Sequence, residues 1–332
     1  NYERVTNATG AVGVMGRALL EAKVHAANRE AFGEPIQSYP LLRRDLVEMT
    51  VDYEAAAAFA FEAAKWYDRR ERAWRDGSNG DGIATATDET ATDAYRLMRL
   101  LVPVAKYRTA DLCVDLASDA MEILGGNGYV RGYVTERLLR DAQVLPIWEG
   151  TSNVLSLDLL RALDRADAHE ALVPLVAGYL DRVEHPLLAG PRETVEAEFV
   201  ALQTALGTLA TVDERTAQYH AKRLADLVYD VVAAAVLLAE AQTRLDGDAP
   251  GRPGGDGDSD GDGERPDARK ALVARRFVAS RFGDDDAYGI TSEATPGDDH
   301  FDAIARYGGV DPDALDPETP GPDAVDPDAP DG

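Results

Sequence analysis

The residue with the clearest chemical use is Glu149, in the segment PIWEGTSN. Trp148 precedes it as a bulky apolar neighbour, Gly150 frees the backbone after it, and Thr151 or Ser152 can cap a helix that starts there. The first turn of such a helix favours an ionised carboxylate. A desolvated carboxylate beside an apolar ring can serve as a base for an acidic C–H proton. A glutamate that merely satisfies backbone N–H groups at a helix start is the alternative interpretation.

A second candidate is the glycine-rich turn GGNGY, which begins with Gly125 and Gly126. Its backbone N–H groups could approach a phosphate or a ribose, although the end of a helix explains the same glycines equally well. No metal site is predicted, because the five histidines show neither metal-ligand spacing nor a Ser or Cys partner. Residues 256–267 come near the EF-hand pattern, but Gly263, Pro266 and a final Asp depart from it, so an acidic linker is the better interpretation.

Composition limits the class of protein. The 60 acidic and 34 basic side chains give a formal net charge of −26, which opposes binding to DNA or to an anionic membrane. Five of the basic residues are Lys, and this acidity with so little Lys predicts a halophilic protein in a high-salt cytoplasm. The single cysteine, Cys113, fits a reducing compartment. No apolar run is long enough to span a membrane and no signal peptide opens the chain, so a cytoplasmic protein is predicted.

Apolar periodicity predicts helices almost throughout the first 245 residues. Gly33 and Pro35 are expected to stop the first helix, and Pro103 is expected to break or kink a later one. The chain starts with Asn1, and its first residues have the character of the middle of a domain, so an N-terminally incomplete sequence is predicted. The predicted helices are Gly10 to Phe32, Pro40 to about Trp74, Thr90 to Leu101, Val104 to Leu124, 134–141, Ser152 to about Leu163, two or three more in 172–245, and 268–282.

Several of these motifs together resemble the C-terminal domain of the acyl-CoA dehydrogenases. The similarity runs from Arg4 to about Leu163, and the segment around Glu149 is its most specific part. The resemblance implies FAD-dependent α,β-dehydrogenation of an acyl-CoA thioester in fatty acid metabolism, with Glu149 as the general base. It also implies that Arg4 lies behind this base, where an ordinary surface charge is the alternative. Trp148 then stands where the family often has a flanking Tyr.

The resemblance also implies cofactor contacts. Arg29 and Phe32, in REAFG, match residues that reach the FAD of a neighbouring subunit; a planar guanidinium suits a diphosphate, while complementing a helix dipole is the alternative. Three residues before Gly125 the family usually has Gln, and this chain has Glu122, as does the alkylation-response (AidB-like) branch. The cofactor residues implied are Arg29, Phe32, Glu122, Gly125, Gly126, Thr151 and Asn153. Arg137, Arg140 and Asp141 are expected to form ion pairs that fix the Glu149 loop.

The expected fold is therefore all-α, with five segments. These are a four-helix bundle (1–165), an AidB-like helical extension (166–245), a Gly/Asp linker (246–267), a short helix (268–282) and a disordered acidic tail (283–332). The family's N-terminal and middle domains, which build most of the flavin site, are not in this sequence. Electron-transfer flavoprotein and a homo-oligomer, dimer or tetramer, are the partners implied. A non-catalytic regulatory or oligomerisation module is the alternative function, and DNA is an unlikely partner for so acidic a chain.

Overall fold

Helices make up almost all of the structure, a computed structural model that describes residues 1–77, 89–247, 266–283 and 295–315. The elements of the bundle are α1 (Tyr2–Asn28), β1 (Glu30–Ala31), β2 (Glu34–Pro35), α2 (Pro40–Gly77), α3 (Glu89–Leu124), α4 (Gly126–Tyr129), α5 (Thr135–Ala142) and α6 (Ser152–Ala166). The later elements are α7 (His169–Leu180), α8 (Ala189–Leu209), α9 (Glu214–Leu245), α10 (Arg269–Phe282), α11 (Pro296–Asp299) and α12 (Phe301–Ala305). The all-α prediction is confirmed.

The bundle has three long helices at its centre. Helices α1, α2 and α3 pack against one another, and α6 lies along α3. Small side chains allow this close approach, and α1 buries Ala8, Ala11, Ala18, Ala22 and Ala26 at 1% exposure or less. Helix α1 ends at Asn28, and the strands β1 and β2 that follow form a β-hairpin around a two-residue turn.

The predicted end of the first helix is wrong. Arg29 is already extended, with ψ 118°, and its carbonyl accepts a hydrogen bond from Ile36 N–H at 2.8 Å. Phe32 and Gly33 form the hairpin turn with φ of 57° and 101°, and a two-residue turn with two positive φ values matches the twist of antiparallel strands. Gly33 therefore shapes a hairpin and does not cap the helix.

The predicted break at Pro103 is also wrong, because α3 continues through this residue. An internal proline removes one hydrogen bond and costs about 3 kcal/mol. The surrounding residues are packed on all sides, which holds the helix together across this defect. The exposures of Leu100, Leu101, Val102 and Val104 are 0%, 0%, 0% and 1%.

The extension is organised around α9, which contacts α6, α7, α8, α10 and α2. The ring of Tyr229 on α9 is fully buried, 4.9 Å from that of Phe59 on α2. Glu54 on α2 forms a buried ion pair with Arg269 and a second one with Lys270 at 3.0 Å. These contacts join the extension to the bundle.

The predicted disordered tail is wrong for residues 295–315. Phe301, Ile304 and Ala305, on one face of α12, are 4%, 1% and 1% exposed, and this face packs against α2. Arg43 lies 4.6 Å above the Phe301 ring, and Arg269 donates to the Ala303 carbonyl at 2.9 Å. Three apolar residues at helical spacing are enough to bury one face of a short helix. The rest of the predicted tail, most of the linker and most of the EF-hand-like segment lie outside the described residues.

Candidate functional site

Glu149 lies in a tight loop between α5 and α6. It has φ 59° and Gly150 has φ 105°, so two consecutive residues adopt positive φ. Such a conformation is unusual for a glutamate, for which it costs on the order of 1 kcal/mol or more. Helix α6 then starts with Thr151 as N-cap, as predicted, but the Thr151 side chain makes no capping hydrogen bond.

Three side chains from the bundle hold the backbone of this loop. Arg4 Nε donates to the Glu149 carbonyl at 3.3 Å, and Lys106 Nζ donates to the Gly150 carbonyl at 2.7 Å. Earlier in the loop, Asn7 Nδ2 donates to the Leu145 carbonyl at 3.3 Å. Two of these donors come from α1 and one from α3, so the loop is fixed to the centre of the bundle.

Arg4 is itself held by an acidic partner. Asp158 on α6 forms ion pairs with Arg4 and, at 3.0 Å, with Arg99 of α3. Burial would raise the pKa of Asp158, but the hydrogen bonds and charges of Arg4 and Arg99 outweigh it and lower that pKa below its usual value. This triad ties α1, α3 and α6 together directly beneath Glu149.

The side chain of Glu149 is exposed, and these anchors bond the backbone of the loop and not its carboxylate. Glu149 is exposed and Trp148 is 53% exposed, so the expected desolvated carboxylate beside an apolar ring is wrong for this chain. Glu149 opens onto a shallow depression that is also lined by Tyr2, Glu3 and Val154. The structure therefore fixes the backbone of the candidate base and leaves its side chain accessible.

The ion pairs expected to fix this loop have a different role. Arg137 pairs with Asp141 at 3.3 Å and Arg140 pairs with Glu136 at 3.3 Å, both within α5. All four partners lie on one helix, so these pairs stabilise α5 locally. Arg4, Asn7 and Lys106 hold the loop instead.

A second group of candidate residues lies at the hairpin end of the bundle. Arg29 is exposed where α1 ends, and the Phe32 ring is 98% exposed, with its centroid 6.3 Å from that of the nearly perpendicular Tyr39 ring. Single exposed apolar side chains are common on folded proteins. Here the same hairpin region carries the exposed Arg29, so this end presents an aromatic and a cationic group to solvent.

The glycine turn after α3 belongs to the same end. Gly125 has φ 59°, and a Cβ on Gly128 would lie 2.3 Å from the Met121 carbonyl oxygen, so this turn needs glycine. Burial raises the pKa of Asp45 at the start of α2, and the nearby Glu122 carboxylate raises it further. The end of α3 therefore lies close to the start of α2, which follows the hairpin.

The structure separates the candidate residues into two sets. Arg4, Trp148, Glu149, Gly150, Thr151 and Asn153 lie at one end, whereas Arg29, Phe32, Glu122, Gly125 and Gly126 lie at the other. Helix α1, which is 27 residues long, runs from one set to the other, a distance of about 40 Å at 1.5 Å per residue. One copy of the chain does not bring the two sets together.

Lys106 is the residue that sequence reasoning missed. It is 0% exposed, and burial lowers its pKa from 10.5 to about 8. Its partner Gly150 is 44 residues away along the chain, so no local pattern could reveal the contact. The one available signal was its position as a Lys inside an apolar stretch of a chain that otherwise uses Arg.

The described residues contain neither a membrane-spanning helix nor a metal-binding cluster. No described helix is long and apolar enough to cross a membrane. The same part of the chain has no group of three or more His, Cys, Asp or Glu side chains placed to hold a metal ion.

The architecture is that of a long-helix bundle in which a loop after a short helix presents one glutamate. Residues 1–163 match the family model described as the acyl-CoA dehydrogenase C-terminal domain. This part of the chain therefore belongs to the acyl-CoA dehydrogenase family, as the sequence motifs predicted.

Curated relatives agree with this assignment. The chain is similar to acyl-CoA dehydrogenase family member 11 of Caenorhabditis elegans, with 35% identity over 161 residues that make up 48% of this chain and 24% of that protein. It is also similar to the putative acyl-CoA dehydrogenase AidB of Escherichia coli (strain K12), with 33% identity over 160 residues, 48% of this chain and 26% of that protein. The chain thus spans about a quarter of the length of these relatives.

A solved structure extends the likeness beyond the matched domain. The crystal structure of C. elegans ACDH-11 in complex with C11-CoA superposes with a TM-score of 0.69 and 26% identity. The superposition covers 86% of this chain and 44% of that one. Because 86% is much more than the first 163 residues, helices of the extension take part in the likeness as well.

Proposed function

We propose that this chain is the catalytic-base part of an FAD-dependent acyl-CoA dehydrogenase, with Glu149 as the general base. The observation that carries the proposal is the accessible Glu149 carboxylate on a backbone held from two sides. Family membership of residues 1–163 supports the reaction class. The C11-CoA bound to C. elegans ACDH-11 supports an acyl-CoA as the substrate class.

The role of Glu149 follows from the chemistry of a thioester. The carbonyl acidifies the Cα–H bond, and an ionised carboxylate within hydrogen-bond reach can remove that proton. Arg4 holds the backbone and not the carboxylate of Glu149, so the side chain remains free to accept the proton. Trp148, beside it, offers an apolar surface for the acyl chain.

The cofactor proposed is FAD. When bound, it accepts the hydride that leaves Cβ. The residues that would hold it are Arg29, Phe32, Glu122, Gly125, Gly126, Thr151 and Asn153. The exposed Arg29 guanidinium suits a diphosphate, and the exposed Phe32 ring offers an aromatic surface, so this end of the bundle has groups that fit the cofactor. Glu122 adds a carboxylate where a donor would serve better.

The separation of the two sets supports an oligomer. A flavin that contacts both needs them from different copies of the chain, because they are about 40 Å apart along α1. A homo-oligomer, dimer or tetramer, is therefore part of the proposal. The N-terminal dehydrogenase domains and electron-transfer flavoprotein as electron acceptor complete it, and a cytoplasmic location and a halophilic origin remain predictions from composition.

Acyl-CoA-dependent dye reduction by the flavin-loaded full-length protein tests the proposal. Glu149→Gln should lower kcat by about 10²- to 10⁴-fold, the usual contribution of a general base. Glu3→Gln is the matched control, because it removes the same charge from the same depression, and it should change kcat less than about threefold. Unchanged turnover in Glu149→Gln would remove Glu149 as the base.

A non-catalytic AidB-like regulatory or oligomerisation module is the second candidate. The 33% identity with AidB and the exposed Phe32 ring favour it. DNA is a poor partner for such a module here, because Arg269, Lys270, Arg276 and Arg281 on α10 all form ion pairs with acidic side chains. Flavin binding and self-association without any dye reduction would favour this candidate.

A further inference from the structure

The Gly150 carbonyl accepts the shorter of the two side-chain hydrogen bonds that hold the loop next to Glu149. In a loop with two consecutive positive φ values, the carbonyls do not have helical partners, so other donors must satisfy them. Lys106 Nζ reaches this carbonyl at 2.7 Å, whereas Arg4 reaches the Glu149 carbonyl at the longer distance of 3.3 Å. Lys106 therefore makes the shorter of the two contacts.

Lys106 comes from a fully buried part of the bundle. It lies on α3, between residues that are buried on both sides, and is itself 0% exposed. Arg4, in contrast, lies in the first turn of α1, and its side chain is 20% exposed. A contact from the middle of a buried helix transmits less motion than one from a helix terminus. Lys106 therefore restrains the loop from a buried helix, whereas Arg4 restrains it from a helix end.

The hydrogen bond to the Gly150 carbonyl accounts for an amine at this buried place. Burial, the largest cause, and Arg4 lower the pKa of Lys106, whereas the charges of Asp111 and Glu149 raise it, and the net pKa is about 8. Charged donors form shorter and stronger hydrogen bonds to carbonyls than neutral ones. An apolar side chain at position 106 would leave the Gly150 carbonyl without this donor.

We propose that Lys106 is a positioning residue, which sets the orientation of the Glu149 carboxylate through its hydrogen bond to the Gly150 carbonyl. The inference rests on the proposed function for its effect on turnover, but its structural part stands without it. Lys106 touches neither substrate nor cofactor in this proposal. It acts through the peptide unit that joins Gly150 to Thr151, one residue after the unit that Arg4 holds.

Amide hydrogen exchange on the 332-residue chain, without any ligand, tests the structural part. In Lys106→Met, amides of the loop such as Trp148, which donates to the Val144 carbonyl at 3.3 Å, should exchange about tenfold faster or more, the factor for losing a hydrogen bond from a charged donor. Lys106→Arg keeps a charged donor and should restore most of the protection. If Lys106→Met does not fold, loop exchange can still be compared between the parent chain and Lys106→Arg.

Thr109→Val is the matched control. Thr109 lies one turn further along α3, is 0% exposed, and donates to the Ala105 carbonyl at 2.7 Å, a hydrogen bond that stays within α3. It should leave the exchange of the loop amides within about twofold of the parent chain. Equal loop exchange in the parent chain and Lys106→Met would overturn the proposal, as would equal acceleration in Thr109→Val and Lys106→Met.

Turnover then separates this inference from the proposed function. In the flavin-loaded full-length enzyme, Lys106→Met should lower kcat by about tenfold or more with KM changed less than about threefold, because a misplaced base affects the chemical step. A mainly raised KM would overturn a positioning role. The parent enzyme could also lack turnover while Lys106→Met still speeds exchange of the loop amides. That combination would contradict the proposed function and support the structural role of Lys106.

Discussion

The two ends of the helical bundle present their candidate residues in opposite ways. At the Glu149 end, Arg4, Lys106 and Asp158 cross-link three helices and fix the loop. At the hairpin end, Phe32 extends 98% of its surface into solvent from a turn between two-residue strands. A group that must receive a proton needs a fixed direction, whereas a ring that meets a partner needs an open surface. The bundle provides both, one at each end.

The largest effect should come from breaking the triad at the fixed end. Asp158→Asn leaves Arg4 and Arg99, whose side chains are 20% and 22% exposed, without their acidic partner. We expect a loss of about 3 kcal/mol in the free energy of unfolding, measured in urea. Asp141→Asn breaks an exposed pair within α5 and should cost less than about 0.5 kcal/mol. Similar losses of unfolding free energy in both variants would show that the triad stabilises the fold no more than an exposed ion pair does.

A pH dependence should distinguish Lys106 from the other residues of the fixed end. Because burial lowers the pKa of Lys106 to about 8, the folded chain releases this proton near pH 8, while the unfolded chain keeps it to about pH 10.4. The contribution of Lys106 to the free energy of unfolding therefore rises as the pH rises from about 8 to about 10.4. Relative to Lys106→Met, the parent chain should gain about 2 kcal/mol in free energy of unfolding from pH 7.5 to 9.5. A constant difference would contradict a lowered pKa.

Two glycines, one at the Glu149 end and one at the hairpin end of the bundle, allow a direct comparison with a smaller expected change in stability. Gly150 has φ 105° and Gly33 has φ 101°, so an alanine is strained at both positions, by about 1–2 kcal/mol. The loop after Glu149 is held from two sides and cannot relax, whereas the hairpin can. Gly150→Ala should therefore lower the free energy of unfolding by more than Gly33→Ala. The reverse order, in urea denaturation at one pH, would mean that the hairpin is the stiffer end.

The smallest effect on stability should come from Phe32→Ala. A ring that is 98% exposed contributes almost no buried area, so the free energy of unfolding should change by less than about 0.5 kcal/mol. Self-association, measured by sedimentation velocity, should weaken if this ring meets another copy. If association is unchanged, Phe32 does not contribute to the oligomer contact, and its proposed role is limited to contact with the cofactor.

Local sequence patterns predicted helix positions better than helix ends. The start of α2 at Pro40 and the short helix at 268–282 were correct, because a proline at a helix start and apolar residues at helical spacing act locally. The end of α1 depends on the hairpin bond from Ile36 N–H to the Arg29 carbonyl, and the continuity of α3 depends on the tertiary packing around Pro103. Neither contact follows the helical spacing from which the helices were predicted.

The candidate site shows the same division. Glu149 and its two neighbours stand together in the sequence, and their motif led to the family. The groups that hold them come from Arg4 and Lys106, 145 and 44 residues from their partners. The exposure of the Glu149 carboxylate could not be foreseen either, since it depends on what covers the loop in three dimensions.

The segment 295–315 has a consequence for the order in which the chain folds. Arg43 meets Asp298 across 255 residues, and Arg269 meets Glu54 across 215. Contacts this distant in sequence form after nearer ones, because closing a long loop of chain is entropically unfavourable. We therefore expect α1, α2 and α3 to assemble first, with α10 and α12 docking on a surface that already exists. During synthesis, the Glu149 loop would have its supports before the last third of the chain is made.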